Sequence, residues 1–259
     1  MGLVLMFLYV PIFVLIVFSF NETKSRSVFS GFTLDWYAKL FRNEVIISSL
    51  MNTIIIAVIA SIAATLLGTL AAIGINSMRK VPKAIVMNIT NMPIVNPEIV
   101  TGVSLMLLFV FFAARMNLEF GFVTLVIAHI TFDVPYVILN VMPKFRQMDP
   151  NLFEAAQDLG CSPFTALRKV ILPEIMPGVV SGFLMSFTFS LDDFVISYFT
   201  AGSSTANLAM RIYAMTKKRI SPEVNAVSTL LFVTVLVLLV IINVREARQE
   251  RAAAKQRIT

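Results

Sequence analysis

Long uninterrupted apolar runs, not short alternations of apolar and polar positions, organise this chain. A helix crossing a hydrocarbon core of about 30 Å needs roughly 20 mostly apolar residues, and six segments approach that length. Residues 3–20 form the first, and residues 45–78 carry no charge, enough for a second helix over about 49–77. The third covers about 85–114. Pro93 and Pro97 lie in its first part and remove backbone donors there, so this helix is expected to be discontinuous. The fourth covers about 118–142, the fifth 177–200 and the sixth 224–244. The alternating ten-residue strands of a membrane barrel are missing. The pattern predicts an all-α membrane protein, a single transmembrane domain over residues 1–259 built as a six-helix bundle.

Composition agrees. Hydrophobic residues make up 58% of the 259, charged residues only 14%, and mean hydropathy is +0.84, whereas soluble domains run at about 45–50% apolar and 25% charged. The net charge of +6 rests on too apolar a chain for a nucleic-acid-coating or disordered protein, so the basic excess belongs to membrane-facing loops. One cysteine, Cys161, and one histidine, His129, exclude an internal disulfide, a cysteine metal cage and a multi-histidine site; no metal ligand set is expected. The first apolar segment lacks a basic lead-in, and no small-x-small site precedes Asn21, which reads as an uncleaved anchor helix. With the N-terminus placed inside, twelve of the 21 Lys and Arg fall on inner segments and nine on outer ones, the expected sign for cytoplasmic termini.

Between the fourth and fifth segments lie residues 143–176, too long and too amphipathic for a plain connector. Asp149 and Pro150 suit a helix start, Leu152, Phe153 and Ala156 share one face, and Gly160 suits a helix end. A second short helix fits residues 162–170, with Ser162 as cap and Pro163 in the first position, and Pro173 and Pro177 are expected to stop it before the next crossing. On physical pattern alone this is a compact helical hairpin, and an interfacial amphipathic one remains the plainer alternative.

Glu154-Ala155-Ala156, then Gly160, then Val170-Ile171-Leu172-Pro173 resembles the EAA motif, E-A-A-x3-G-x9-I-x-L-P, of permease subunits of bacterial ABC importers; Val170 replaces the first Ile. The resemblance runs along the chain. The Phe18 to Asn21 exit, the Ser190 to Ser197 segment (SLDDFVIS), Ile212 to Met215 and Ser221 to Ala226 are similar to PotC-type permeases of spermidine/putrescine importers. It implies a six-transmembrane-helix permease bundle with cytoplasmic coupling helices, in the bacterial cytoplasmic membrane. Glu154, Ala155, Ala156, Gly160, Ile171, Leu172 and Pro173 would then couple to a separate ATPase subunit, a homodimer that binds ATP and magnesium. A second related permease subunit and an extracytoplasmic polyamine-binding protein complete the implied partners, beside membrane lipid and no nucleic acid. The chain has no G-x-x-x-x-G-K-[ST] phosphate loop of its own, and it is expected to have no catalytic residues and no cofactor.

Ionisable residues inside a span are costly and mark candidate substrate paths. Asp192 and Asp193 lie deep in the fifth segment, in its outer half, where paired acids suit an incoming cation; the competing reading is a cap on a helix break or a partner for an arginine. His129, Asp133, Tyr136 and Asn140 follow at steps of four, three and four, one helical face. Asp133 and Tyr136 offer the carboxylate and aromatic face that a chain of ammonium and methylene groups requires, while a lone His129 is more simply a hydrogen-bonded helix contact. Glu98, beside Pro97, lies where a broken helix frees carbonyls to line a cavity, or is an acid favoured by a helix N-terminus. Trp36, Tyr37 and Phe41 with Lys39 and Arg42 form an amphipathic stretch at the outer interface. Gly68, Gly74 and the alanines around them read as helix packing. Two other classes compete. An intramembrane enzyme would need a nucleophile with its base, or a metal cluster, and a self-contained channel would need no EAA loop.

Overall fold

The computed structural model describes residues 2–23, 28–116, 119–203, 205–218 and 222–256. Lys24, Arg26, Arg219 and Arg257, counted above for orientation, lie outside them, as do Ser221 and the expected start of the fourth helix at residue 118. Twelve α-helices organise the described residues: α1 (Gly2–Phe18), α2 (Asp35–Arg42), α3 (Glu44–Asn76), α4 (Lys80–Val95), α5 (Glu98–Met116), α6 (Phe122–Gln147), α7 (Leu152–Asp158), α8 (Pro163–Ala166), α9 (Leu172–Asp192), α10 (Val195–Thr200), α11 (Leu208–Lys218) and α12 (Pro222–Gln256). Five helical stretches are long and apolar enough to cross a membrane: α3, α5, α6, the run Pro163–Asp192 and the first part of α12; α1 is a shorter apolar helix.

The bundle is centred on α3, α6 and α9. Val137 of α6 is its pivot, fully buried between two glycines. A Cβ on Gly68 of α3 would lie 2.7 Å from the Val137 Cβ, and one on Gly182 of α9 3.1 Å from the Val137 Cα. A turn away, a Cβ on Gly178 would meet the Asn140 carbonyl at 2.7 Å. Hydrocarbon tails are as apolar as leucine side chains, so close backbone approach holds such helices together. Gly74 corrects the packing expectation, since a Cβ there would meet open space.

Several boundaries differ from the sequence expectation for local physical reasons. The third segment is two helices, because Asn96 and Pro97 end α4 and α5 restarts at Glu98. The fourth helix runs through Pro143 to Gln147, and the sixth continues to Gln256, since polar residues extend a helix as readily as apolar ones. Pro173 and Pro177 do not stop a helix. A π-helical turn, Leu167–Ile171, joins α8 to α9, with the Leu172 N–H bonded to the Leu167 carbonyl. That wider turn places Pro173 in the first turn of α9, where its missing donor costs little. The fifth segment starts early and breaks at Asp193 and Phe194.

The amphipathic stretch around Trp36 is α2, and its apolar side faces protein. Trp36 and Leu40 are buried with Ile46, Leu208, Ala226 and Val227, and Phe41 is exposed. The Trp36 indole donates to the Asn21 carbonyl at 2.7 Å.

Candidate functional site: a cavity at two helix breaks and a helical hairpin

The breaks in the third and fifth segments face each other. Gly102 lets α5 approach α10 closely, a Cβ there lying 3.0 Å from the Phe199 ring. Between them opens a cavity of about 260 Å³ lined by Pro93, Glu98, Thr101, Phe132, Tyr136, Phe189, Asp192, Asp193, Phe194, Val195 and Ile196. Its charged lining residues are Glu98, Asp192 and Asp193, with no Lys or Arg among the described residues that line it. The walls are aromatic, with Tyr136 and Phe189 at 4.5 Å between ring centroids and Phe132 edge-on to Tyr136 at 6.3 Å. Such a chamber supplies carboxylates for cationic ends and ring faces for the methylene links between them.

The two adjacent aspartates point to different tasks. Asp192, the last residue of α9, is exposed. Asp193 is buried and caps α10, its carboxylate accepting from Ile196 N at 3.2 Å, Ser197 N at 2.8 Å and the Ser197 hydroxyl at 2.7 Å. The cap reading therefore holds for Asp193. Asn207 donates its amide to the Asp193 carbonyl and to Ser197 Oγ, both at 2.7 Å, and accepts from Met210 N at the start of α11.

Behind the cavity wall lies the polar stripe of α6. Asp133 is fully buried and accepts from the Ser190 hydroxyl at 2.8 Å, away from the cavity. His129 is buried beside it, and Tyr136 alone of the stripe lines the cavity. Asn140 donates to its own helix at the Tyr136 carbonyl. Glu98 opens α5, so both readings of it coincide: a first-turn acid and a wall of the cavity. The structure adds Phe132, Phe189, Phe194, Ser190, Ser197 and Asn207 to the region. Their proximity to the polar stripe and the SLDDF segment was the available signal, but only packing shows which of the 22 phenylalanines turn inward.

At the other end of α9 sits the hairpin α7–α8. Gly160 adopts φ +85° and closes α7, with Cys161 N donating to the Ala156 carbonyl and Gly160 N to the Gln157 carbonyl, a Schellman arrangement. The Ser162 hydroxyl accepts from Thr165 N to cap α8. Glu154, Ala155, Leu159, Gly160 and Phe164 are exposed, whereas Ala156 and Ile171 turn inward and Leu172 is half-buried. Pro173 is exposed at the start of α9.

Residues 64–254 match the family described as binding-protein-dependent transport system inner membrane component. The chain is 39% identical over 234 residues to the spermidine/putrescine transport system permease protein PotC of Escherichia coli (strain K12), covering 90% of this chain and 87% of that protein. It is 36% identical over 229 residues to the putrescine transport system permease protein PotI of the same strain, covering 87% and 81%. Among solved structures, a bacterial ABC transporter involved in the import of the acidic polysaccharide alginate aligns with TM-score 0.68 at 17% identity, over 95% of this chain and 91% of that one. An amino acid ABC transporter aligns with TM-score 0.60 at 21% identity, over 83% and 99%.

Proposed function

The chain belongs to the inner membrane components of binding-protein-dependent transport systems, and from that membership we propose that it is the permease subunit of an ATP-driven importer of spermidine and putrescine. The observation that carries the polyamine reading is the cavity at the two breaks. Glu98 and Asp192 bring carboxylates, Tyr136, Phe132, Phe189 and Phe194 bring ring faces, and no lining Lys or Arg opposes a cation. Within this reading Glu98, Asp192 and Tyr136 touch substrate, while Asp193, in the wall, holds the start of α10 and Asp133 acts from behind it. The chain sits in the bacterial cytoplasmic membrane with both termini cytoplasmic and α1 as the sixth crossing.

The hairpin α7–α8 is the coupling element. Glu154, Ala155 and Gly160 form the face offered to a homodimeric ATPase subunit that binds ATP and magnesium, Ala156, Ile171 and Leu172 anchor that face to the bundle, and Pro173 opens α9 behind it. From Pro163 to Asp192 the backbone is helical throughout, about 45 Å at 1.5 Å per residue. A displacement of the hairpin is thereby delivered to the residue that faces the cavity. An extracytoplasmic polyamine-binding protein delivers the solute, and a second, related permease completes the pore beside α4 and α5, whose Val95, Ile99 and Val100 are left uncovered.

The test is uptake of labelled spermidine and putrescine by the assembled importer, comparing wild type with Asp192→Asn, Glu98→Gln and Glu154→Lys. ATP-dependent uptake should fall in all three, with stimulated ATP hydrolysis lost only in Glu154→Lys. An assembled complex that hydrolyses ATP and moves neither polyamine would refute the substrate assignment.

A further inference from the structure

We propose that His129 is a positioning residue that clamps both sides of the break in the fifth segment and thereby aims Asp192 into the cavity; this rests on the cavity being the substrate path. A helix break leaves backbone donors and acceptors without helical partners. Asp193 satisfies the donors at the start of α10, but a cap does not determine how α10 is set relative to α9. His129 does. Its Nδ1 is hydrogen-bonded to Ser190 Oγ, three residues before Asp193, and its Nε2 to Ser197 Oγ, four residues after it, at 3.0 Å each.

The clamp is itself rigid. His129 is 1% exposed, Phe132 lies edge-on to its ring at 5.6 Å, and its Nε2 is 3.5 Å from the Asp193 carboxylate. One turn along α6, Asp133 accepts from the same Ser190 hydroxyl. Asn207 holds Ser197 from the far side. His129, Asp133 and Asn207 thus tie down both sides of the break, and Asp192 is the adjacent acid left to the cavity. If His129 loses both bonds, α10 and the last turn of α9 are free to swing. The Asp192 carboxylate then leaves its place opposite Tyr136, Phe189 and Glu98.

The experiment uses the complete importer in proteoliposomes, with liganded binding protein at saturation, and reads spermidine transported per ATP hydrolysed. His129→Phe keeps an aromatic ring and removes both bonds. It should lower transport per ATP about tenfold, as misplacement of a positioned group does, with stimulated ATP hydrolysis within twofold of wild type. His129→Gln, whose amide nitrogen still donates to these hydroxyl oxygens, should recover transport per ATP to within threefold, and Ser197→Ala should reproduce part of the loss. Equal losses of hydrolysis and transport in His129→Phe without rescue by His129→Gln would make His129 a packing residue only and overturn the proposal. So would unchanged transport per ATP in His129→Phe beside a loss in Asp192→Asn. Unchanged transport in Asp192→Asn would instead remove the cavity reading, and this proposal with it.

Discussion

Replacing Asp193 by alanine should destabilise the protein, and replacing Asp192 by asparagine should not, although the two residues are neighbours in sequence. The Asp193 carboxylate takes two backbone N–H groups of α10 at 3.2 and 2.8 Å and the Ser197 hydroxyl at 2.7 Å, in a buried setting. A buried donor left without its acceptor costs about 1–3 kcal/mol. Two stranded amides therefore place Asp193→Ala at about 4 kcal/mol, with Asp193→Asn at about half, since its amide oxygen still accepts. At roughly 2–4 °C per kcal/mol for a chain approaching this size, Asp193→Ala should melt about 8–16 °C below wild type. Asp192 is exposed at the cavity, so Asp192→Asn should melt within about 2 °C of wild type on the ±0.5 kcal/mol scale of surface changes. The assay is thermal unfolding of the purified chain in one detergent or nanodisc composition. Asp193→Ala melting with wild type would refute the cap argument, and an equal drop in both variants would refute the division of labour.

Three further outcomes follow from packing and hydrogen bonding. Gly178→Ala puts a Cβ 2.7 Å from the Asn140 carbonyl and should cost about 1–3 kcal/mol, whereas Gly74→Ala meets open space within a helix and should be neutral or stabilising by up to about 1 kcal/mol; thermal unfolding of the pair checks the opposite signs. Trp36→Phe removes the indole bond to the Asn21 carbonyl and should lose about 1–3 kcal/mol, with a weakened α2 seen as faster hydrogen exchange over residues 35–42. Gly160→Val forces a branched side chain into φ +85° and should cost about 1–2 kcal/mol in α7 even though the space around it is open; coupled ATP hydrolysis should fall more than the melting temperature.

The order of the apolar segments was legible without coordinates because twenty consecutive apolar residues leave few alternatives in water, and among the described residues five helical stretches of that kind are long and apolar enough to cross a membrane. The cap at Ser162, the left-handed glycine at 160 and the interruption near Pro97 were legible too, since each depends on a residue and its immediate neighbours. The EAA spacing also sits within one short stretch, so the hairpin it marks could be located in advance. Pro173 misled because a π-helical turn, whose signal is not local to the proline, places it in the first turn of α9, and Pro177 is carried inside α9.

Which acid does what was decided only by tertiary structure. Asp133, Asp192 and Asp193 are chemically alike in the sequence, yet one is tied to Ser190 behind the wall, one faces the cavity and one caps α10. Hydrogen bonds from Ser190, on α9 and 57 residues away from Asp133, and from Ser197, on α10, make that distinction. Likewise Gly68 packs and Gly74 does not, although both stand on α3, because only Gly68 faces Val137 across the bundle. By itself the sequence determined an apolar helical chain with a helical hairpin and a polar stripe, through local propensity and burial. The three-helix packing around Val137 determined which polar groups meet, and therefore which carboxylates remain free for a cation.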